Sequence, residues 1–233
     1  MRIVRASWIA LAAGTLMAAP AHAATSLIDG FDSENGGASF LNYNSFANFT
    51  VAGKVDLVAT PDYGITCAGG SGSCVDLDGT TGPGTLSTKP VSFAGGQFIK
   101  VSFEVSGNQR NAGPDNFIFD SLLTGSTSYD FVCGTGFTSC TSGTYASNTF
   151  GHYIESYAGN RGFTTYSFMF RPDAAGTLTL SFGTDSADNV GPILDNVRIS
   201  GVPEPMTWVM MILGIGVIGG AMRRRRPAVS YAF

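Results

Sequence analysis

Apolar and polar residues alternate without a break in Ile99-Lys100-Val101-Ser102-Phe103-Glu104-Val105. Successive side chains on a strand point to opposite faces, so this stretch gathers its apolar residues on one face and leaves the other polar. A helix would scatter the same residues around its circumference. The pattern returns in Tyr166-Ser167-Phe168-Met169-Phe170 and in Thr177-Leu178-Thr179-Leu180-Ser181-Phe182. Residues 46–51, 55–59, 74–77, 116–122 and 193–200 read as further strands. Gly and Pro clusters punctuate them, as in Thr81-Gly82-Pro83-Gly84 and Arg171-Pro172-Asp173. No amphipathic helix stands out between residues 24 and 202. The predicted fold is all-β, an antiparallel β-sandwich of the jelly-roll kind, and about 180 residues suffice for a real core.

The two ends of the chain read differently. Arg2 and Arg5 precede an apolar stretch and then Ala21-His22-Ala23. This is the layout of a signal peptide, residues 1–23, cleaved after Ala23. Near the other end, residues 206–222 contain no charged side chain. As a helix they reach roughly 25 Å, within the range of a membrane span. Arg223, Arg224, Arg225 and Arg226 follow and suit its cytoplasmic end, while Trp208 suits the opposite interface. One C-terminal transmembrane helix is therefore expected, with residues 24–202 exported through the inner membrane. Gly216 and Gly220 form a GxxxG pair that suits close helix packing or a processing enzyme.

Pro203-Glu204-Pro205, Trp208, the Gly-spaced apolar helix and the Arg cluster resemble the PEP-CTERM sorting signal of Gram-negative bacteria. The resemblance implies that residues 203–226 are recognised by an exosortase, a membrane protease or transpeptidase-like enzyme, with Pro203, Glu204 and Pro205 as the motif it reads. It also implies a membrane-anchored precursor, then a cell-surface or extracellular location in the context of exopolysaccharide and biofilm. A short tail, residues 227–233, runs past the arginines. Physically, the two prolines hold the segment extended and keep a helix from starting early.

Charge narrows the partners. Residues 24–202 carry seven Lys or Arg against sixteen Asp or Glu, a balance of −9. An acidic surface disfavours nucleic acid and leaves cations and neutral sugars open. The four cysteines fall into two pairs, Cys67 with Cys74 and Cys133 with Cys140, each separated by six residues that are mostly Gly, Ser and Thr. Two local disulfides are expected, each contributing roughly 2–3 kcal/mol on the loop-entropy model. The C-x2-C spacing of zinc ribbons is absent.

A second resemblance lies inside the domain. Residues 74–82, CVDLDGTTG, and residues 188–197, DNVGPILDNV, are similar to stretches common in exported PEP-CTERM proteins. With Gly30-Phe31-Asp32 they resemble galactose-binding-like and carbohydrate-binding-module sandwiches. That likeness implies a structural Ca²⁺ where the first and last strands meet. Asp195 is the candidate ligand, with Asp32 or Glu34 as helpers; an Asp satisfied by the backbone is the plain alternative. Ile193, Asp195, Val197 and Ile199 are expected on one face of the last strand. Asp76 and Asp78 read as a solvated strand end and turn.

Nothing marks a catalytic site. One histidine, His152, remains after signal removal and reads as a strand or loop residue, and no nucleophile-elbow, metalloprotease or P-loop motif occurs. Tyr129, Tyr145, Tyr153 and Tyr157 are expected mostly to pack, with stacking on sugar rings as the alternative. The resulting expectation is a non-enzymatic exported protein that binds polysaccharide or serves adhesion. A purely structural role is the alternative, and a glycan-active enzyme a more distant one.

Overall fold

The computed structural model describes residues 26–110, 113–186, 188–202 and 205–223, and in the last of these segments the side chains of 211–220. The predicted signal peptide, Pro203, Glu204, Arg224, Arg225, Arg226 and the tail lie outside the described residues, as does the side chain of Trp208.

Among the described residues fifteen strands, with three short 3-10 turns between them, precede one α-helix. The first seven are β1 (Ser26–Asp29), β2 (Phe49–Gly53), β3 (Asp56–Ala59), β4 (Ser73–Asp76), β5 (Asp78–Gly79), β6 (Gly82–Thr88) and β7 (Val91–Phe93). Next come β8 (Ile99–Ser106), β9 (Asp115–Thr124), β10 (Tyr129–Cys133), β11 (Gly143–Tyr145) and β12 (Tyr153–Tyr157). β13 (Thr164–Pro172), β14 (Gly176–Thr184) and β15 (Ile193–Gly201) complete the sandwich, and α1 (Pro205–Arg223) follows at once.

Two antiparallel sheets face each other. One has the order β11-β10-β13-β8-β15-β4-β3, with β1 also paired to β15; the other is β12-β9-β14-β6-β2, with β5 and β7 attached. From β8 onward the chain changes sheet at every step except β10 to β11. This repeated crossing wraps the strands as in a jelly roll.

Alternation decides which faces meet. Ile99, Val101, Phe103 and Val105 of β8 are all fully buried, as are Leu178, Leu180 and Phe182 of β14 on the facing sheet. Phe103 sits at the centre. Its ring stacks on Tyr166 at 5.2 Å and on Phe119 at 5.1 Å, and meets Phe182 edge-on at 5.0 Å. Burying each such ring stabilises the fold by about 1.5–3 kcal/mol, with about 0.5–1.5 kcal/mol more per aromatic pair.

A second, smaller core lies apart from this one. Val58, Ile65, Cys67, Cys74 and Ile193 pack together, around the Cys67–Cys74 disulfide. The other expected disulfide, Cys133–Cys140, also forms.

Candidate functional site

The register between β15 and β8 slips by one residue between Asp195 and Arg198. Asn196 takes up the extra residue with a φ of 51°. Such a bulge reverses the alternation downstream of it. Ile193 therefore joins the small core, while Leu194, Val197 and Ile199 enter the main one. The expectation that Ile193, Asp195, Val197 and Ile199 share one face is corrected: the bulge divides them.

Asp195 sits at this bulge and is 3% exposed. Its Oδ2 accepts the Ala68 N–H at 3.0 Å and its Oδ1 the Asn196 N–H at 2.6 Å. Burial pushes its carboxyl up to about 7; the charges of Asp32 and Glu104 push the same way, and the two N–H groups oppose them. Asp32 comes from the segment after β1, and its Oδ1 accepts the Ser73 N–H at 2.8 Å.

Gly30 explains how these groups come close. A Cβ there would lie 3.3 Å from Asn196 Oδ1, 3.6 Å from Asp32 Oδ2 and 4.0 Å from Asp195 Oδ1. Side-chain oxygens of all three residues thus face the Gly30 backbone, and oxygen donors are the kind that Ca²⁺ takes. Glu34 is placed elsewhere. Its Oε1 accepts the Ala47 N–H at 2.8 Å and its Oε2 the Tyr43 hydroxyl at 3.4 Å, which ties it to the 43–47 loop. Asn196 Oδ1, rather than a Glu34 oxygen, faces Gly30 beside Asp32 and Asp195, and its position directly after Asp195 was the only signal for it. Cys67, Cys74 and Asp195 also gather within 4.8 Å. The two sulfurs are bonded to each other, so they offer no thiolate.

Asp76 and Asp78 correct a second expectation, for both are fully buried rather than solvated. Asp76 Oδ1 accepts the N–H groups of Asp78 and Gly191 at 3.0 and 2.9 Å, and its Oδ2 pairs with Arg110 at 3.3 Å. Asp78 Oδ2 accepts the N–H groups of Asp188 and Asn189, each at 3.0 Å. These carboxylates organise the 188–191 loop.

An aromatic cleft of about 190 Å³ opens between the edges of the two sheets. Phe131 and Phe168 come from one sheet and Phe119 and Tyr153 from the other. The loop closed by Cys133–Cys140 lays Phe137 and Ser139 along its rim, and Thr141 follows it there. Tyr129 stacks on Tyr145 at 5.6 Å, and Phe137 meets Tyr153 edge-on at 5.0 Å. Their hydroxyls are anchored: Tyr129 donates to Thr149 O at 2.8 Å and Tyr145 to Thr141 O at 2.7 Å. His152 stands exposed at the mouth, its Nδ1 2.8 Å from Asp120 Oδ1. Of the four tyrosines singled out in the sequence, Tyr129, Tyr145 and Tyr153 line the cleft, and Tyr157 is a core residue. Phe131, Phe137 and Phe150 were not foreseen there.

Behind the cleft, one carboxylate collects two tyrosine hydroxyls and a guanidinium. Glu155 accepts from Tyr153 at 2.6 Å, from Arg161 at 2.6 Å and from Tyr166, whose hydroxyl also meets that of Tyr157. Burial raises the carboxyl of Glu155, but the hydroxyls of Tyr153 and Tyr166 and the Arg161 charge outweigh it and hold it below the usual range.

A search of curated proteins finds no match. Among solved structures, the chain is similar to the CBM22-1–GH10 modules of endo-1,4-β-D-xylanase 10B from Clostridium thermocellum, complexed with xylohexaose. There the identity is 19% and the TM-score 0.44, over 78% of this chain and only 29% of that one. It is also similar to the K1 cleaved adhesin domain of Lys-gingipain from Porphyromonas gingivalis, at 13% identity and a TM-score of 0.44, over 77% and 99% of the two chains. A third likeness is to the CBM22-1 xylan-binding domain of a xylanase from Paenibacillus barcinonensis, at 13% identity and a TM-score of 0.32, over 71% and 94%. At the C-terminus, residues 201–226 match the family model of the PEP-CTERM protein-sorting motif. The chain therefore carries a PEP-CTERM protein-sorting motif that begins on the last residue of its sandwich.

Proposed function

We propose that this chain is an exported surface or matrix protein, processed by an exosortase at its C-terminal segment, whose sandwich binds a polysaccharide in the aromatic cleft. The cleft carries the second half of this reading. Sugar rings present C–H faces that pack on aromatic rings, and hydroxyls that need polar partners at the edge. The half-buried rings of Tyr145 and Tyr153, with Ser139, Thr141 and His152 beside them, supply both. No Asp or Glu is among the described residues that line the cleft.

The C-terminal segment supports the first half. In α1, Ile212, Leu213, Ile215, Val217 and Ile218 are all more than half exposed. Apolar surface of that kind suits lipid better than water. Among the described residues no helix is long and apolar enough to cross a membrane. The span over residues 206–222, the signal peptide over 1–23, the exported domain over 24–202 and the arginine cluster stay within the proposal. A structural Ca²⁺ held by Asp32, Asp195 and Asn196 would tie the start of the sandwich to its last strand.

Two experiments test the two halves separately. Replacing Pro203-Glu204-Pro205 by three alanines should leave insertion intact and block release or surface transfer; processing at the normal rate would refute the sorting role. On a glycan array that includes the host exopolysaccharide, the full chain in detergent should retain a glycan. Tyr145→Ala and Tyr153→Ala should each weaken binding about tenfold. A wild type that retains none, or variants that bind equally well, would leave the sandwich without a polysaccharide ligand.

A further inference from the structure

The aromatic cleft has an uneven set of hydrogen-bonding groups. No Lys or Arg is among the described residues that line it. Three tyrosines are, and a phenol has one proton to give. Tyr129 gives its proton to Thr149 O at 2.8 Å, Tyr145 to Thr141 O at 2.7 Å and Tyr153 to Glu155 Oε2 at 2.6 Å. The Tyr153 oxygen also takes the Thr138 N–H at 3.3 Å. With their protons engaged, these phenols offer a ligand ring faces and lone pairs. His152 at the mouth does the same. Its Nδ1 lies 2.8 Å from Asp120 Oδ1, and a carboxylate oxygen accepts. Nδ1 therefore holds the proton, and Nε2 of the neutral ring is an acceptor. Among the side chains, the hydroxyls of Ser139 and Thr141 can donate, and they carry no charge.

We infer that the cleft selects sugars carrying a free amino group, so that the polymer it holds is an amino-sugar polysaccharide; this rests on the reading of the cleft as a polysaccharide site. An ammonium group matches what the lining offers. It has donors and no acceptor, and it is drawn to the negative face of an aromatic ring. Phe131, Phe137, Tyr145 and Tyr153 line the cleft and are half-buried, so solvent still reaches part of each ring. The domain seats two of its own cations in this way. Arg161 Cζ lies 4.1 Å from the centre of the Tyr157 ring, and Arg171 Cζ 5.1 Å from that of Phe98. The balance of −9 over residues 24–202 attracts cations from further away. A uronic acid meets the opposite conditions, because its carboxylate adds acceptors and finds no Lys or Arg in the lining to pair with. A neutral sugar stands between the two: its hydroxyls can donate to the lone pairs, and it gains nothing from the charge.

Titration calorimetry of the full chain in detergent tests this with two probes of equal length. One is a short oligomer of glucosamine, and the other is the same oligomer after N-acetylation, which removes the charge and keeps the sugar rings. At neutral pH and low salt the free-amine oligomer should bind about tenfold more tightly, and added NaCl should narrow the gap. An oligogalacturonate should bind more weakly than either. Tyr145→Ala removes a ring that stacks on Tyr129 at 5.6 Å and should shrink the preference. Tyr145→Phe keeps that ring, should keep the preference, and covers a failure of Tyr145→Ala to fold. Equal or tighter binding of the acetylated oligomer overturns the inference and leaves the cleft a polysaccharide site. So does binding of neither oligomer while the glycan array still retains a glycan; an array that retains none removes the polysaccharide reading as well. A preference that survives intact in Tyr145→Ala places the selection outside the cleft and overturns the inference. A lysine oligomer of equal charge that binds as tightly as the glucosamine oligomer overturns it too, because the ammonium would then need no sugar.

Discussion

The two disulfides close loops of the same length, each with a sequence separation of 7. Loop entropy alone therefore assigns them the same stabilisation, about 2.5 kcal/mol. Their surroundings differ. Cys67 and Cys74 are 2% and 0% exposed and fill the small core with Val58, Ile65 and Ile193. Cys140 is exposed on the rim of the cleft. Replacing Cys67 and Cys74 by alanine removes two buried sulfurs, at about 1 kcal/mol each. It also frees the loop whose Ala68 N–H reaches Asp195, a hydrogen bond worth about 1 kcal/mol. The total is about 5.5 kcal/mol, against about 2.5 kcal/mol for alanine at Cys133 and Cys140. For a domain of this size each kcal/mol lowers Tm by about 2–4 °C, so the losses should be about 11–22 °C and about 5–10 °C. Thermal unfolding of the full chain in mild detergent, followed by near-ultraviolet circular dichroism, reads both. Equal losses would refute the core role assigned to Cys67–Cys74, and a larger loss for the exposed pair would invert it.

Two further outcomes follow from single residues. Asn196→Val places a β-branched side chain at a φ of 51° and removes the 2.8 Å bond to Glu104 Oε2, so urea unfolding should show a loss of about 2–3 kcal/mol, with Asn196→Gly costing clearly less. Asp173 is held down to about 2, chiefly by the Ser126 hydroxyl and also by N–H groups of Ser128 and Thr127. Its folded pKa lies below its unfolded one, so the stability it contributes is present above about pH 4 and is lost as pH falls through about 2. Acid unfolding of Asp173→Asn should lack that steep segment, and an unchanged slope between wild type and variant would refute the assignment.

Much of the sandwich was legible because alternation and burial coincide. β8, β13 and β14 announce themselves, since every second residue is apolar and each such residue ends in the core. β6 was hidden, because its first residues Gly82-Pro83-Gly84 read as a turn; the pairing with β2 and β5 overrides that local preference. β10 to β12 were hidden too, being short and set among Ser, Thr and Gly. At the site, the oddity of Asp195 showed in the sequence, and the disulfides showed in their spacing. The bulge at Asn196 did not, since nothing in the local pattern marks an extra residue. Nor did the burial of Asp76 and Asp78: most of their backbone donors come from Asp188, Asn189 and Gly191, 110 to 115 residues further along the chain.

The last strand of the domain is also an interior strand of its sheet. β15 is flanked by β8 along most of its length, by β4 at one end and by β1 at the other. The Val202 N–H continues the contact, donating to Phe98 O at 2.7 Å, and α1 begins three residues later. A pull on the C-terminal segment, directed along β15, loads these hydrogen bonds side by side in shear rather than peeling them one after another. The attachment point is thereby a mechanical clamp, and a tug on the tail is shared by β1, the very first strand, as well as by the strands at the centre of the sheet.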